Sequence, residues 1–161
     1  MSKNVRDTDK GLNDIMDEMK RMGQFSVKAG IIDGTVRKDG TSMAQIGAWN
    51  EYGVPKWKIP SRPWLRGWVA SNTSKINETI LKLTKLVSAG QLDAKTALGR
   101  LGQFAQDGIK SYIRNGQFAP NKESTIKRKK SSKPLIHTGQ MRNSVRWQMV
   151  PTATARQEAD E

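Results

Sequence analysis

Apolar residues at Leu12, Ile15, Met16, Met19 and Met22 recur at intervals of three and four, which predicts an amphipathic helix over residues 9–22. Asp7, Thr8 or Asp9 is placed to cap its start and Gly23 to end it. The period then changes. Phe25, Val27, Ala29 and Ile31 alternate with Ser26, Lys28 and Gly30, the pattern of a half-buried strand. Turn signals at Asp33-Gly34 and Asp39-Gly40 bracket a short second strand over residues 35–37. Thr41 or Ser42 caps a short helix from Met43 to about Tyr52, and Gly53 stops it.

Beyond residue 62 the helical period returns and persists. Pro63 suits the first position of a helix. Leu65, Trp68 or Val69, Asn72, Ile76, Ile80, Leu83 and Val87 carry one stripe to Gly90, with a kink expected near residues 71–74. Asp93 caps a second long helix, whose stripe runs from Ala97 and Leu98 through Leu101, Ile109 and Tyr112 to Ile113, with Gly116 as its end. Two long helices joined by a few residues form an αα-hairpin. Residues 117–137 read as an irregular basic segment with one helical turn from Ser124, and residues 138–144 as a short capped turn. Val145, Trp147 and Met149 alternate with polar neighbours, a final strand suited to pair with residues 25–31. The fold class expected is α+β: a small antiparallel sheet packed against a long αα-hairpin, with an extended Trp/Pro loop and a basic C-terminal arm. It forms one domain over residues 9–150, between a disordered N-terminus (residues 1–8) and a disordered tail (residues 151–161).

The stretch WNEYGVPKWKIPSRPWLR, residues 49–66, breaks both periods. With Trp68 just beyond it, it gathers four of the five Trp residues around Pro55, Pro60 and Pro63. Each proline fixes its own φ and biases the preceding residue towards extended backbone, so the segment holds one shape. Two readings stand side by side: a satellite core beneath a long loop, or a surface buried on assembly, where Trp and Arg concentrate. On the second reading the subunit interface is Trp57, Arg62, Trp64, Arg66 and Trp68. Trp49 belongs to the core, and Trp57, nearest the apex, touches another chain.

Charge sharpens the picture. The 161-residue chain carries a formal charge of +13 and no cysteine. Disulfides and cysteine-based metal or redox sites are thereby excluded. No stretch is long and apolar enough for a membrane-spanning helix, and the N-terminus lacks a signal peptide's apolar run. A cytoplasmic site of action is expected. The basic excess gathers in the C-terminal third, where Lys122, Lys127, Arg128, Lys129, Lys130 and Lys133 form an arm facing a partner or DNA. Such a run neutralises phosphates without base preference.

Signals for catalysis are weak. His137 is the one histidine, and none of the patterns HExxH, GxSxG, GxxxxGK[ST] or GxGxxG occurs. Asp14, Asp17 and Glu18 share a helix with Lys20 and Arg21 and read as a solvated face. Glu51, beside the Trp/Pro segment, reads as a buried ion-pair partner for Arg62 or Arg66. No enzyme activity, cofactor, metal or small-molecule substrate is expected.

Two stretches carry a resemblance. Trp49-Asn-Glu-Tyr-Gly53 is followed by Ile59-Pro-Ser-Arg-Pro-Trp-Leu-Arg66. Thr125-Ile-Lys-Arg-Lys129 is followed by Pro134-Leu-Ile-His-Thr-Gly-Gln-Met-Arg-Asn-Ser144. In this order they resemble the neck and tail-completion proteins of tailed bacteriophages, also described as virion morphogenesis or tail-component proteins, over roughly residues 25–150. Trp64 stands where that family commonly has Phe, which keeps an aromatic anchor. His137 stands where an acidic residue is common, so an ion pair made there by relatives is in doubt. The resemblance implies an α+β subunit of a homo-oligomeric ring, a hexamer being expected, at the head–tail junction. Its partners would be the portal or its adaptor and the tail proteins, with non-specific contact to passing DNA. Localisation would be the virion neck, after assembly in the host cytoplasm. The alternatives are a tail terminator capping the tail tube and a small non-specific nucleic-acid-binding protein.

Overall fold

The computed structural model describes residues 11–32, 34–37 and 39–160. Its chain runs α1 (Leu12–Gln24), β1 (Phe25–Ile31), α2 (Met43–Tyr52), α3 (Arg66–Ser88), α4 (Ala94–Asn115), α5 (Glu123–Lys129), α6 (Gln140–Asn143), β2 (Val145–Pro151) and α7 (Thr152–Asp160). A 3-10 turn at Pro55–Trp57 lies between α2 and α3. The fold is α+β: a two-stranded antiparallel sheet packs against α3 and α4, which form a hairpin. Asp7, Thr8 and Asp9, the segment 1–8 expected to be disordered and Asp33 of the first turn signal all lie outside the described residues.

β1 and β2 pair in one register, from Phe25 opposite Pro151 to Ile31 opposite Val145. Val27, Ala29 and Ile31 therefore share a face with Met149, Trp147 and Val145. A slip of one residue in either strand would turn that strand's three away from the shared face. The short strand expected over residues 35–37 shrinks to a single bridge, Val36 with Ser42. That pairing sets up α2: the Ser42 side chain accepts from Gln45 N while Gln45 Oε1 accepts from Ser42 N, a reciprocal capping box.

The hairpin begins and ends where its caps place it. Pro63 stands one turn ahead of α3, tied in by Gly67 N–H donating to its carbonyl. α3 then continues without a break past residues 71–74. It stops in a Schellman arrangement. Gly90 takes φ of 67°, its N–H donates to Val87 O, and Gln91 N–H donates to Leu86 O. Asp93 then caps α4, accepting from Thr96 N at 2.8 Å and Thr96 Oγ1 at 2.7 Å. A second free N–H of α4, that of Ala94, donates to Glu18 of α1 at 2.7 Å. Glu18, read from sequence as part of a solvated face, thus also ties α1 to the hairpin.

The main core lies between the sheet, α4 and the Trp/Pro segment. It contains Met43, Trp64, Trp68, Ile109, Ile113, Leu135, Met141 and Val145, with a smaller cluster of Leu83, Val87 and Ala97 at the far end of the hairpin. Two glycines of α4 act as seats for tryptophans. A Cβ at Gly102 would overlap the Trp147 ring, and one at Gly108 would lie 2.6 Å from Trp68 Nε1. Of residues 151–161, expected to be a disordered tail, Pro151 is the last residue of β2 and Thr152–Asp160 form α7, while Glu161 lies outside the described residues. Thr152 starts α7 by donating to Gly23 O at 3.0 Å and meeting Ser26 Oγ at 3.1 Å, so the chain docks on the start of the sheet rather than leaving it. Gly23, expected to end the first helix, lies inside α1.

Candidate partner-binding surface

The Trp/Pro segment is built around Glu51. At the end of α2 this residue is 4% exposed. Its carboxylate accepts from Leu65 N at 2.9 Å, Arg66 N at 3.0 Å and Arg66 Nε at 2.9 Å. It therefore caps the start of α3 from another helix and pairs with a cation there. The Glu51 carbonyl accepts from Ser61 Oγ and Arg66 Nη2. The Arg66 guanidinium also lies 4.7 Å from the centre of the Tyr52 ring. Of the two ion-pair partners open to Glu51 in the sequence, the fold selects Arg66.

Between Glu51 and Arg66 the chain makes a narrow projecting tip. Val54 and Ile59 exchange backbone hydrogen bonds at 2.9 and 3.1 Å, closing a loop that contains the 3-10 turn and Lys58 at φ of 54°. Gly53 is required at its base, because a Cβ there would meet Ser61 N at 2.8 Å with φ already at 78°. Trp57 rides on the tip, 55% exposed, and meets Trp49 edge to face at 5.0 Å between ring centres. Pro55, Lys56, Lys58 and, at its root, Tyr52 are also exposed.

The five residues expected at a subunit interface thus divide. Trp57 and Arg66 are at the surface. Arg62, Trp64 and Trp68 are not: each is below a tenth exposed within its own subunit. Trp64 packs on Gly47 and donates Nε1–H to Gly47 O at 2.9 Å. Trp68 fills the seat at Gly108. Arg62 donates Nε–H to Ala119 O at 2.8 Å and Nη2–H to Pro120 O at 3.1 Å and to Asn121 Oδ1 at 3.3 Å. Burial pushes its guanidinium below its ordinary range. The reason for the correction is shape. Small residues on α2 and α4 open slots that two indoles fill, and a row of backbone carbonyls receives the arginine. Trp49, assigned to the core, is only partly buried and turns towards Trp57.

Arg62 also explains how the basic arm is held. Asn121, which accepts from Arg62, donates Nδ2–H to Ser132 O at 3.3 Å and to Lys133 O at 3.1 Å, closing the arm into a loop at both ends. Within it, α5 and the turn after it present Lys122, Lys127, Arg128, Lys130 and Lys133 to solvent. Lys129 faces the other way and is partly buried. Burial, with the charges of Arg62 and Arg128, holds its ammonium below the usual lysine range. The sequence reading grouped all six in one arm facing a partner or DNA. Arg37 and Asn121 were not singled out, and no local pattern marks either. Among the described residues no group of three or more acidic or histidine side chains could hold a metal ion, and no helix is long and apolar enough to cross a membrane. No family model, curated protein or solved structure matches this chain.

Proposed function

We propose that this chain is a structural, non-catalytic virion protein of a tailed bacteriophage, forming a homo-oligomeric ring at the neck that joins the portal or its adaptor to the tail. The observation that carries the reading is the tip at residues 54–59. It holds a half-exposed tryptophan, flanked by lysines, on backbone fixed at its base by Glu51, Gly53 and Arg66. A large aromatic kept rigid and wet in the free subunit suits a surface that becomes buried on assembly, since little ordering is needed at the moment of contact. A ring needs two unlike faces meeting head to tail around a closed rotation, and the tip serves as one of them. The paired motifs that resemble neck and tail-completion proteins point the same way.

Exposed lysines and Arg128 on the arm favour a second reading, non-specific contact with DNA. Sedimentation of the purified chain, alone and with portal or tail proteins, separates the two. The neck reading expects discrete rings and little affinity for free duplex. A protein that stays monomeric under all these conditions, binds duplex tightly with a steep salt dependence and is missing from virions would overturn it. Its presence in isolated tails but not in isolated heads would instead make it a tail terminator.

A further inference from the structure

A cleft of about 170 Å³ opens beside α2, between that helix and the chain entering α6. Its floor is apolar, with buried Met43, Leu135 and Met141. Its walls bring together Arg37, Lys129 and His137, and among the described residues no carboxylate lines it. Arg62 adds its charge to the field at Lys129, while its own hydrogen bonds go only to carbonyl and amide oxygens. Among the described residues the one acidic partner of this group is Asp39, 3.7 Å from Arg37, with both side chains about half exposed. Positive charge is thus concentrated in a recess whose described lining supplies no counter-charge. Burial, and then the charges of Arg62 and Arg128, lower the affinity of Lys129 for its proton, and a bound anion would relieve this.

The shape of the recess decides which anion. A phosphodiester brings charge without an apolar stem, and a duplex is too broad for a cleft of this size. A glutamate brings methylenes for the floor and a carboxylate for the cations. The acidic run at residues 158–161, Glu-Ala-Asp-Glu, offers that chemistry. A chain cannot easily present them to its own cleft. The tail leaves the sheet at Pro151, whereas Met141 of the cleft lies just before Val145 at the opposite end of β2. That is about 20 Å away along the strand, and α7 packs on α1 and the strands.

We propose that this cleft receives the acidic C-terminal segment, residues 158–161, of a second copy of this chain, with a carboxylate seated among Arg37, Lys129 and His137. The contact is heterologous and supplies a head-to-tail link of the ring proposed above, on which reading it rests.

The test is fluorescence anisotropy of a labelled peptide of residues 152–161 titrated with the full-length chain. Binding is expected to weaken at least tenfold when the peptide carries Glu158→Gln, Asp160→Asn and Glu161→Gln, a change that leaves the protein untouched. A similar loss is expected for the folded Arg37→Gln, Lys129→Gln variant. Equal binding of the neutral and acidic peptides overturns the proposal, as does displacement by a short DNA duplex at lower concentration than by unlabelled peptide. In sedimentation, the full-length chain with the same three tail substitutions is expected to lose its oligomers. Rings that persist in that variant overturn the tail contact and leave the ring reading standing. If the unaltered chain never oligomerises, the ring reading falls, and the peptide titration still decides what the cleft binds.

Discussion

At the scale of single residues, the glycines of α4 show how closely this core is specified. Gly99, Gly102 and Gly108 sit inside one helix, where glycine costs roughly 0.5–1 kcal/mol relative to alanine. Gly99→Ala places its Cβ at an ordinary 3.6 Å from Trp147 and is expected to raise stability by about that amount. Gly102→Ala and Gly108→Ala collide with Trp147 and Trp68 and are expected to cost about 1–3 kcal/mol each. Urea unfolding of the three variants, followed by circular dichroism, reads the opposite signs directly. The same residues mark what the sequence hid. The indoles of Trp64 and Trp68 could be recognised as anchors, but their seats are on other elements, and nothing local distinguishes a glycine that receives a ring from one that only weakens a helix. Three of the five expected interface residues were therefore placed on the wrong side of the surface. Trp57 was legible because prolines and a turn motif beside it announce a projecting loop.

At the scale of elements, the joints between helices carry the specificity. Glu51→Gln keeps the shape of the side chain and removes the charge that holds Leu65 N, Arg66 N and Arg66 Nε. The expected loss is about 1.5–3 kcal/mol, the range for hydrogen bonds to a charged group, measured as a shift in urea midpoint with unchanged m-value. The cap on α4 gives a pH signature. The backbone and side-chain donors of Thr96 hold the Asp93 carboxyl below its ordinary 3.8. Its contribution is therefore complete above that value and fades as pH falls through the lower folded-state value. Asp93→Asn should remove that part of the acid limb, seen as a flatter dependence of melting temperature on pH below about 4. Arg62→Lys keeps a cation but cannot reproduce the fork to Ala119, Pro120 and Asn121. Amides over residues 119–133 are expected to exchange with deuterium faster in that variant, while those of α4 hold. The hairpin, the capped α2 and the strand pairing were readable because periodicity and caps are local. The helical tail was not, because its anchor is a contact with Gly23 and Ser26.

At the scale of the whole molecule, charge and shape act together. A formal charge of +13 makes identical subunits repel one another. A ring of them needs apolar anchors or local counter-charge at each joint, which are the roles given to the Trp57 tip and to the acidic tail. Trp57→Ala removes an exposed ring whose intrachain contact is the edge of Trp49. It should cost at most about 1.5 kcal/mol of subunit stability yet disperse the ring, a divergence visible by comparing melting temperature with sedimentation coefficient. The pairing of the two strands has a further consequence, in time rather than space. Ser26 and Thr152, which meet beside the sheet, are 126 residues apart in the chain. On a ribosome, β1 is made early and must wait for its partner while both long helices are synthesised. Closing so large a loop is slow and is rewarded only once the hairpin offers a surface to dock on. The helices are thus expected to gain protection first and the sheet last, and a nascent chain halted before residue 145 would hold β1 as an unpaired strand for chaperones to cover.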